Sequence, residues 1–329
     1  GLALVYNSEN WLQTPSVAWN LGADVGYGYG WTLQFGALIP VYANYSTVAY
    51  YQFTDSSGAR YRLDQNSGNV WTSKNGIYAA YDANTGILHF RDGSTWQFGC
   101  TAAGTEPDAG TMYPTTIEDS NGNQIQVAYF PGNGVGWNNS SSRIDYILDV
   151  RAPQLLTGGV TYQFVYNIDT IPHLTSITNM IGTPEHYTFT YNTNQPLVAP
   201  LGTAFPNTTL LASVTVSGIN TTTSFQYTPQ NNGLLWFAHL PTGGYLAWDY
   251  LNYQYPGSIS QPEVNNRYLA AGANGTGQIT YPFNSGTATQ SLPIHSSTTL
   301  DDPDGKGEKA WFFETDASLD HLWAGPRRL

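Results

Sequence analysis

Ile117-Glu118-Asp119-Ser120-Asn121-Gly122-Asn123-Gln124-Ile125-Gln126-Val127-Ala128-Tyr129 decides the fold. Asp119 and Gly122 mark a tight turn: an Asp side chain bonds the backbone ahead of it, and Gly accepts the positive φ such turns demand. Beyond the turn, Ile125, Val127 and Tyr129 alternate with Gln124, Gln126 and Ala128. A period of two puts the first set on one face of a strand and the second on the other.

The same grammar runs outward in both directions. Asp55-Ser56-Ser57-Gly58 separates Tyr51-Gln52-Phe53 from Tyr61-Arg62-Leu63. Asn84-Thr85-Gly86 precedes Ile87-Leu88-His89-Phe90, and Arg91-Asp92-Gly93 turns into Thr95-Trp96-Gln97-Phe98. Tyr162, Phe164 and Tyr166 share one parity, as do Tyr187, Phe189 and Tyr191. A looser repeat joins a short apolar strand to an aromatic one: Arg143–Ile147 to Tyr162–Tyr166, Leu174–Thr178 to Tyr187–Tyr191, and Leu211–Thr215 to Ser224–Tyr227. Irregular spacing excludes a strict solenoid and points to one sheet growing by added hairpins. The 19 prolines and 34 glycines leave room for no long helix, only a short turn within Ser318–Trp323. Loops are expected around 131–142, 194–209 and 271–291, and a boundary near Pro256. Residues 1–255 read as the hairpin region and 256–329 as a continuing strand and loop region. The fold class is all-β, an extended antiparallel sheet forming an open or partly wound shell.

Composition bounds the function. Only 10% of residues are charged, against about 25% in ordinary soluble domains, so the polar surface falls to Asn, Gln, Ser, Thr and Tyr. That balance suits a secreted or cell-surface β protein. With a formal net charge of −12 and 11 Lys plus Arg, the chain lacks the basic clusters that nucleic acid or an anionic membrane requires. No apolar run reaches the ~18 residues of a membrane span, so no membrane insertion is expected. Cys100 stands alone and reads as a small buried hydrophobe. The start at Gly1-Leu2, without a basic and apolar leader, reads as a mature form or a fragment.

Four stretches carry a family likeness: Gly1–Ser8, Tyr29-Gly30-Trp31-Thr32-Leu33-Gln34-Phe35-Gly36, the Asp119–Asn123 turn, and Leu240-Pro241-Thr242-Gly243-Gly244-Tyr245. Together they resemble the first part of bacterial RHS (rearrangement hot spot) proteins with YD repeats, over roughly residues 1–255. The resemblance implies a long sheet wound into a hollow shell, enclosing a C-terminal toxic domain or belonging to a surface protein. Some members cleave themselves at an Asp-Pro-x-Gly motif. Asp302-Pro303-Asp304-Gly305 matches those letters, but the Tyr- and Arg-rich strand that should precede it is missing, so the activity is not carried over.

No residue set assembles a catalytic centre. Nucleophile elbow, zinc helix, Cys pair and P-loop are all missing. Gly26-Tyr27-Gly28-Tyr29-Gly30 has the wrong spacing for a phosphate loop and reads as a lead-in to a strand. The six histidines share no ligand spacing and are expected to be structural and unpaired. Asp302, Asp304 and Glu308 make an acidic loop that calcium could use, with a solvated turn as the plainer reading. A glycosidase would need two placed carboxylates, and most Asp residues instead sit at turns. Among ten tryptophans, Trp137 in Gly136-Trp137-Asn138-Asn139 is the best exposed candidate for stacking on a sugar. No cofactor is expected.

The leading reading is a non-catalytic structural segment of a shell or scaffold. A self-assembling extracellular fibre or surface-layer protein and a carbohydrate-binding adhesin are the rivals. Partners are then the remainder of a longer chain, a second copy, or a carbohydrate. Self-association is expected through uncharged end strands, Leu2, Leu4 and Tyr6 at one end and Trp311 and Phe313 at the other, because bare edges invite strand addition.

Overall fold

The computed structural model describes residues 1–13, 16–74, 77–151, 159–255, 259–286, 295, 297–305, 307–314 and 327–328. Every long regular element among them is a strand, and none is a helix. In chain order they begin β1 (Ala3–Tyr6), β2 (Trp11–Gln13), β3 (Ala18–Asn20), β4 (Trp31–Gln34), β5 (Gly36–Tyr42), β6 (Val48–Asp55), β7 (Arg60–Leu63), β8 (Gln65–Ser67) and β9 (Val70–Thr72). There follow β10 (Ala79–Asp82), β11 (Ile87–Phe90), β12 (Thr95–Thr101), β13 (Met112–Glu118), β14 (Gln124–Tyr129), β15 (Ile144–Asp149), β16 (Val160–Tyr166), β17 (Leu174–Asn179) and β18 (His186–Val198). The last are β19 (Ala204–Val216), β20 (Thr221–Tyr227), β21 (Leu235–His239), β22 (Tyr245–Tyr255), β23 (Ile259–Ala270), β24 (Ile279–Ser285), β25 (Ser297–Asp301), β26 (Glu308–Glu314) and β27 (Arg327–Arg328).

The architecture is a large antiparallel sheet of successive hairpins, not closed into a barrel. Turn chemistry sets it. The Asp55 carboxylate accepts from the backbone N–H of Ser57 (2.8 Å) and Ala59 (3.1 Å) while Gly58 takes φ +86°. Asp119 does the same with Asn121 (2.8 Å) and Asn123 (3.0 Å), with Gly122 at φ +81°. Hydrogen bonds from the Asn123 side chain hold the Asp119 carboxyl below its ordinary range, and those from Ser94 do so for Asp92. The turns therefore keep their ionised acceptors well into acid. On β14 the alternation is as written: Val127 and Tyr129 are buried and Gln126 is exposed.

The chain forms two compact units, one of residues 1–6, 23–189 and 216–220, the other of 7–22, 190–215 and 221–329. The boundary expected near Pro256 lies outside the described residues, as does the short helical turn within Ser318–Trp323. In the first unit each strand from β8 to β18 pairs with the next, and β5 to β7 form a further run. Leu38 of β5 pairs with Met112 of β13 and brings the two runs together over one core. Leu38, Phe53, Leu63, Trp71, Tyr81, Leu88 and Phe98 fill that core. In the second unit β20 to β26 continue the hairpins, and Tyr245, Ala247 and Ala270 are buried with Phe237 and Tyr268 against them.

Two expectations need correction. Residues 194–209 are mostly strand, within β18 and β19, and β24 occupies part of 271–291. Their Thr, Asn and Gln residues read as loop but pair across strands, as in the amide bond of Asn207 with Asn194 (2.9 Å). Each end strand has at least one strand partner. β1 pairs with β4 over Ala3–Tyr6, where Tyr6 packs on Trp31 at 5.3 Å. β26 lies between β25 and β27, with Trp311 opposite Thr298 and Phe313 opposite Arg328.

Leu63 and Leu88 are fully buried, whereas Ile168 is fully exposed. Leu63→Ala or Leu88→Ala should each lower stability by about 2–5 kcal/mol through lost burial and a residual cavity. Ile168→Ala should change it by less than about 0.5 kcal/mol. Denaturant unfolding of the three variants checks both.

Candidate functional site

Trp137 is the most exposed of the described tryptophans, at 66%. It tops the loop between β14 and β15 in the first unit. The expectation of a loop here holds, but its base is tightly bonded. The N–H groups of Gly132 and Asn133 donate to Ser140 Oγ (2.9 Å) and Glu106 Oε1 (2.6 Å). Ser140 Oγ donates to the carbonyl of Trp137 itself (2.7 Å). Asn139 takes φ +57° and exchanges two bonds with Tyr129, N–H to carbonyl and N–H to side chain, both at 2.9 Å. Ser140, Ser141 and Ser142 are all buried.

Beneath the loop lies a buried ion pair. Arg143 donates from Nη1 to Glu106 Oε2 (2.7 Å) and from Nη2 to Oε1 (3.0 Å), and also to the carbonyl of Pro131 (3.0 Å). Both side chains are at most 3% exposed. Asp108 and Tyr113 complete the cluster, with the Tyr113 hydroxyl donating at 2.5 Å. Burial raises the Asp108 carboxyl above its ordinary range, and nearby Glu106 adds to this, while the Tyr113 bond opposes it. Cys100 is completely buried, donates to the carbonyl of Ser141 (3.2 Å), and has its thiol pushed up to about 12 by burial. It behaves as the expected buried hydrophobe, not as a nucleophile.

The Gly-Tyr-Gly-Tyr-Gly segment is a loop wrapped on a carboxylate rather than a simple lead-in. Asp24 Oδ1 accepts the N–H groups of Gly26 (3.1 Å) and Gly28 (3.2 Å), and Oδ2 meets His173 Nε2 at 2.8 Å. A Cβ on Gly26 would lie 2.8 Å from the Pro172 carbonyl and 3.0 Å from Arg143 Cγ, at φ +104°, so only glycine fits. Tyr27 is buried, bonded to the Ser142 carbonyl (3.0 Å), and pushed up to about 12 by burial. The histidines are therefore not unpaired as expected: His173 meets Asp24, His186 meets Thr178 (2.9 Å), and His295 meets Glu263 (2.8 Å).

The other candidates separate. Asp302 and Asp304 are exposed in the β25–β26 turn, where Asp302 exchanges backbone bonds with Gly305 and Gly307, and Glu308 pairs with Asp301 across the hairpin. Among the described residues no three His, Cys, Asp or Glu side chains converge as a metal site would. Leu2, Leu4 and Tyr6 are half-buried, as is Trp311 with Lys309 5.0 Å over its ring, and the Phe313 side chain lies outside the described residues. Sequence reasoning missed Glu106, Arg143 and Asp24. The available signals were a charged pair in a charge-poor chain and an Asp two residues before a glycine-rich run.

Asp108 gives the cluster a pH signature. A carboxyl raised in the folded state binds its proton more tightly there than in the unfolded chain, so its stabilising effect is present in acid and lost as pH rises through the raised value. Asp108→Asn removes this contribution. Urea unfolding between pH 4 and 7 should show the wild type gaining on the variant as pH falls. A difference that is flat, or of opposite slope, would refute the assignment.

No family model and no curated protein sequence matches the chain. Among solved structures, the chain is similar to the N-terminal domain of effector protein SpvB from Salmonella typhimurium strain LT2, with 10% identity, a TM-score of 0.28, and coverage of 82% of this chain and 93% of that one. It is also similar to TcdB2-TccC3-Cdc42 (9% identity, TM-score 0.26) and TcdB2-TccC3-TEV (11%, 0.25). All of this chain aligns in both, spanning 19% of the length of each of those chains.

Proposed function

We propose that the chain is a non-catalytic structural segment, a β-sheet piece of a secreted or cell-surface bacterial scaffold of the kind the RHS/YD-repeat resemblance implies. One observation carries this reading: the buried charges of the first unit bind backbone. Glu106 accepts from Asn133 N–H, Asp24 from Gly26 and Gly28, and Arg143 donates to Pro131. Groups committed to shaping loops are held by the fold. Hydrolase screens with glycan and ester substrates should stay at background. A turnover that disappears in Asp24→Asn or His173→Gln, with the fold intact, would defeat the proposal.

A second reading, carbohydrate contact, draws on the exposed indole of Trp137. Its loop is fixed before any ligand arrives, so stacking on a pyranose face would cost little ordering entropy. Exposed Asn138 adjoins it and Asn133 lies in the same loop; both carry amides suited to sugar hydroxyls. Trp137→Ala should leave stability within about 0.5 kcal/mol and abolish any binding seen on a glycan array. Binding that survives the substitution places the sugar elsewhere.

A further inference from the structure

The sheet of the second unit carries a row of flat side chains around one cation. Directly opposed residues of neighbouring strands share a face. Trp248 of β22 stands opposite Arg267 of β23, and Arg267 stands opposite Tyr281 of β24. Leu269 and Ile279 are opposed in the next rank, and Trp236 of β21 has the matching parity. The alternate set, Tyr245, Ala247 and Ala270, is the buried one, with Tyr268 packed against it. The row therefore lies on the outward face. Trp236, Leu269 and Ile279 are exposed there, and Trp248, Arg267 and Tyr281 are half-buried.

Arg267 is unlike an ordinary surface cation. Its guanidinium carbon lies 4.6 Å from the centre of the Tyr281 ring. Its Nε is enclosed without an acceptor, and among the described residues no carboxylate or carbonyl takes a hydrogen bond from the guanidinium. Asp249, next to Trp248, faces the core side, where it accepts from Tyr268 (2.6 Å) and Asn266 (3.0 Å). A chain of net charge −12 thus keeps a cation in register between Trp248 and Tyr281 and pairs it with no anion of its own. A guanidinium so placed is a receptor for an anion, because its Nη groups present N–H donors as a planar fork.

We propose that this face of β21 to β24 is a docking surface for a polysaccharide that bears carboxylates, a uronate chain. Its sugar rings lie flat on Trp248 and Tyr281, and one carboxylate takes the Arg267 fork. Three features select this occupant. Trp248 and Tyr281 lie on alternate strands, about 9–10 Å apart, so they seat a run of sugars rather than one ring. The planar fork matches a carboxylate in a bidentate pair. One cation in a neutral row suits sparse charge, whereas a densely sulfated chain or a nucleic acid is repelled by so acidic a protein. The surface is independent of Trp137, which lies in the first unit.

Affinity electrophoresis of the full chain tests this, with hyaluronan and polygalacturonate as the uronate polymers. At least one should retard the protein, more strongly at low salt than at high salt. Fully methyl-esterified polygalacturonate keeps the rings and loses the charge. The affinity for it should be lower than for the free acid by about tenfold or more, the effect of one charged hydrogen bond. Arg267→Gln should weaken uronate binding by the same factor, and Trp248→Ala several-fold. Trp236→Ala, at an exposed position, should also weaken it and serves where a half-buried variant fails to fold. Arg91→Gln removes an exposed cation over Tyr78 in the first unit and should leave binding unchanged. Four results would each overturn the proposal: no retardation by either uronate polymer, equal retardation by the methyl ester, stronger retardation by dextran sulfate or polyglutamate, or wild-type binding in folded Arg267→Gln. Binding lost in Trp137→Ala and intact in Trp236→Ala would also overturn it, by moving the sugar to the loop of the first unit.

Discussion

The first unit depends on two charges held away from water, Glu106 and Arg143. Desolvating such a pair is costly, and removing one member of a buried pair leaves the other uncompensated, at about 3–5 kcal/mol. The pair persists here because its remaining hydrogen-bonding capacity is used: Pro131 takes one Arg143 N–H and Asn133 supplies one donor to Glu106. Those bonds fix the start of the loop, the buried serines fix its end, and Trp137 is displayed between them. The aliphatic stem of Arg143 in turn restricts position 26 to glycine, which shapes the loop around Asp24. One ion pair thus connects β14, β15 and the segment before β4.

Much of this was legible in the sequence where one residue type has one physical use. Asp55, Asp92 and Asp119 read as turn formers, because an Asp before a Gly has a backbone partner close at hand. The aromatic alternation on β14 and β16 identified strands, and the exposure of Trp137 followed from its Gly and Asn neighbours. Legibility failed where composition and context disagree. Asn194, Gln195 and Asn207 to Thr209 look like loop, yet they are strand because polar side chains can face solvent and bond across the ladder. Glu106 sits in Gly104-Thr105-Glu106-Pro107-Asp108, which is turn-like in itself. Its partner Arg143 is 37 residues away, and no local period could announce it. The histidine pairs are hidden likewise, His173 and Asp24 being 149 residues apart.

Scarce positive charge is also placed with economy. Arg62 lies over Tyr50 at 4.8 Å, Arg91 over Tyr78 at 4.9 Å, and Arg267 over Tyr281 at 4.6 Å. Each cation covers an aromatic face that would otherwise meet water, and the ring quadrupole attracts it. In a chain with 24 tyrosines, 10 tryptophans and 13 phenylalanines but only 11 Lys and Arg, such contacts shield apolar surface while keeping the sheet hydrated.

The single thiol of Cys100 lies at the centre of the bonded loop base, completely enclosed and strongly protonated. A thiol reagent can reach it only when β12 and the serine turn come apart. Its modification rate is thus a built-in clock for the opening of this region, with no second cysteine to confuse the reading. Under native conditions the clock reports how often the ion pair and its serines let go together. If they form one cooperative unit, labelling and global unfolding share one free energy; if the loop frays alone, labelling runs ahead.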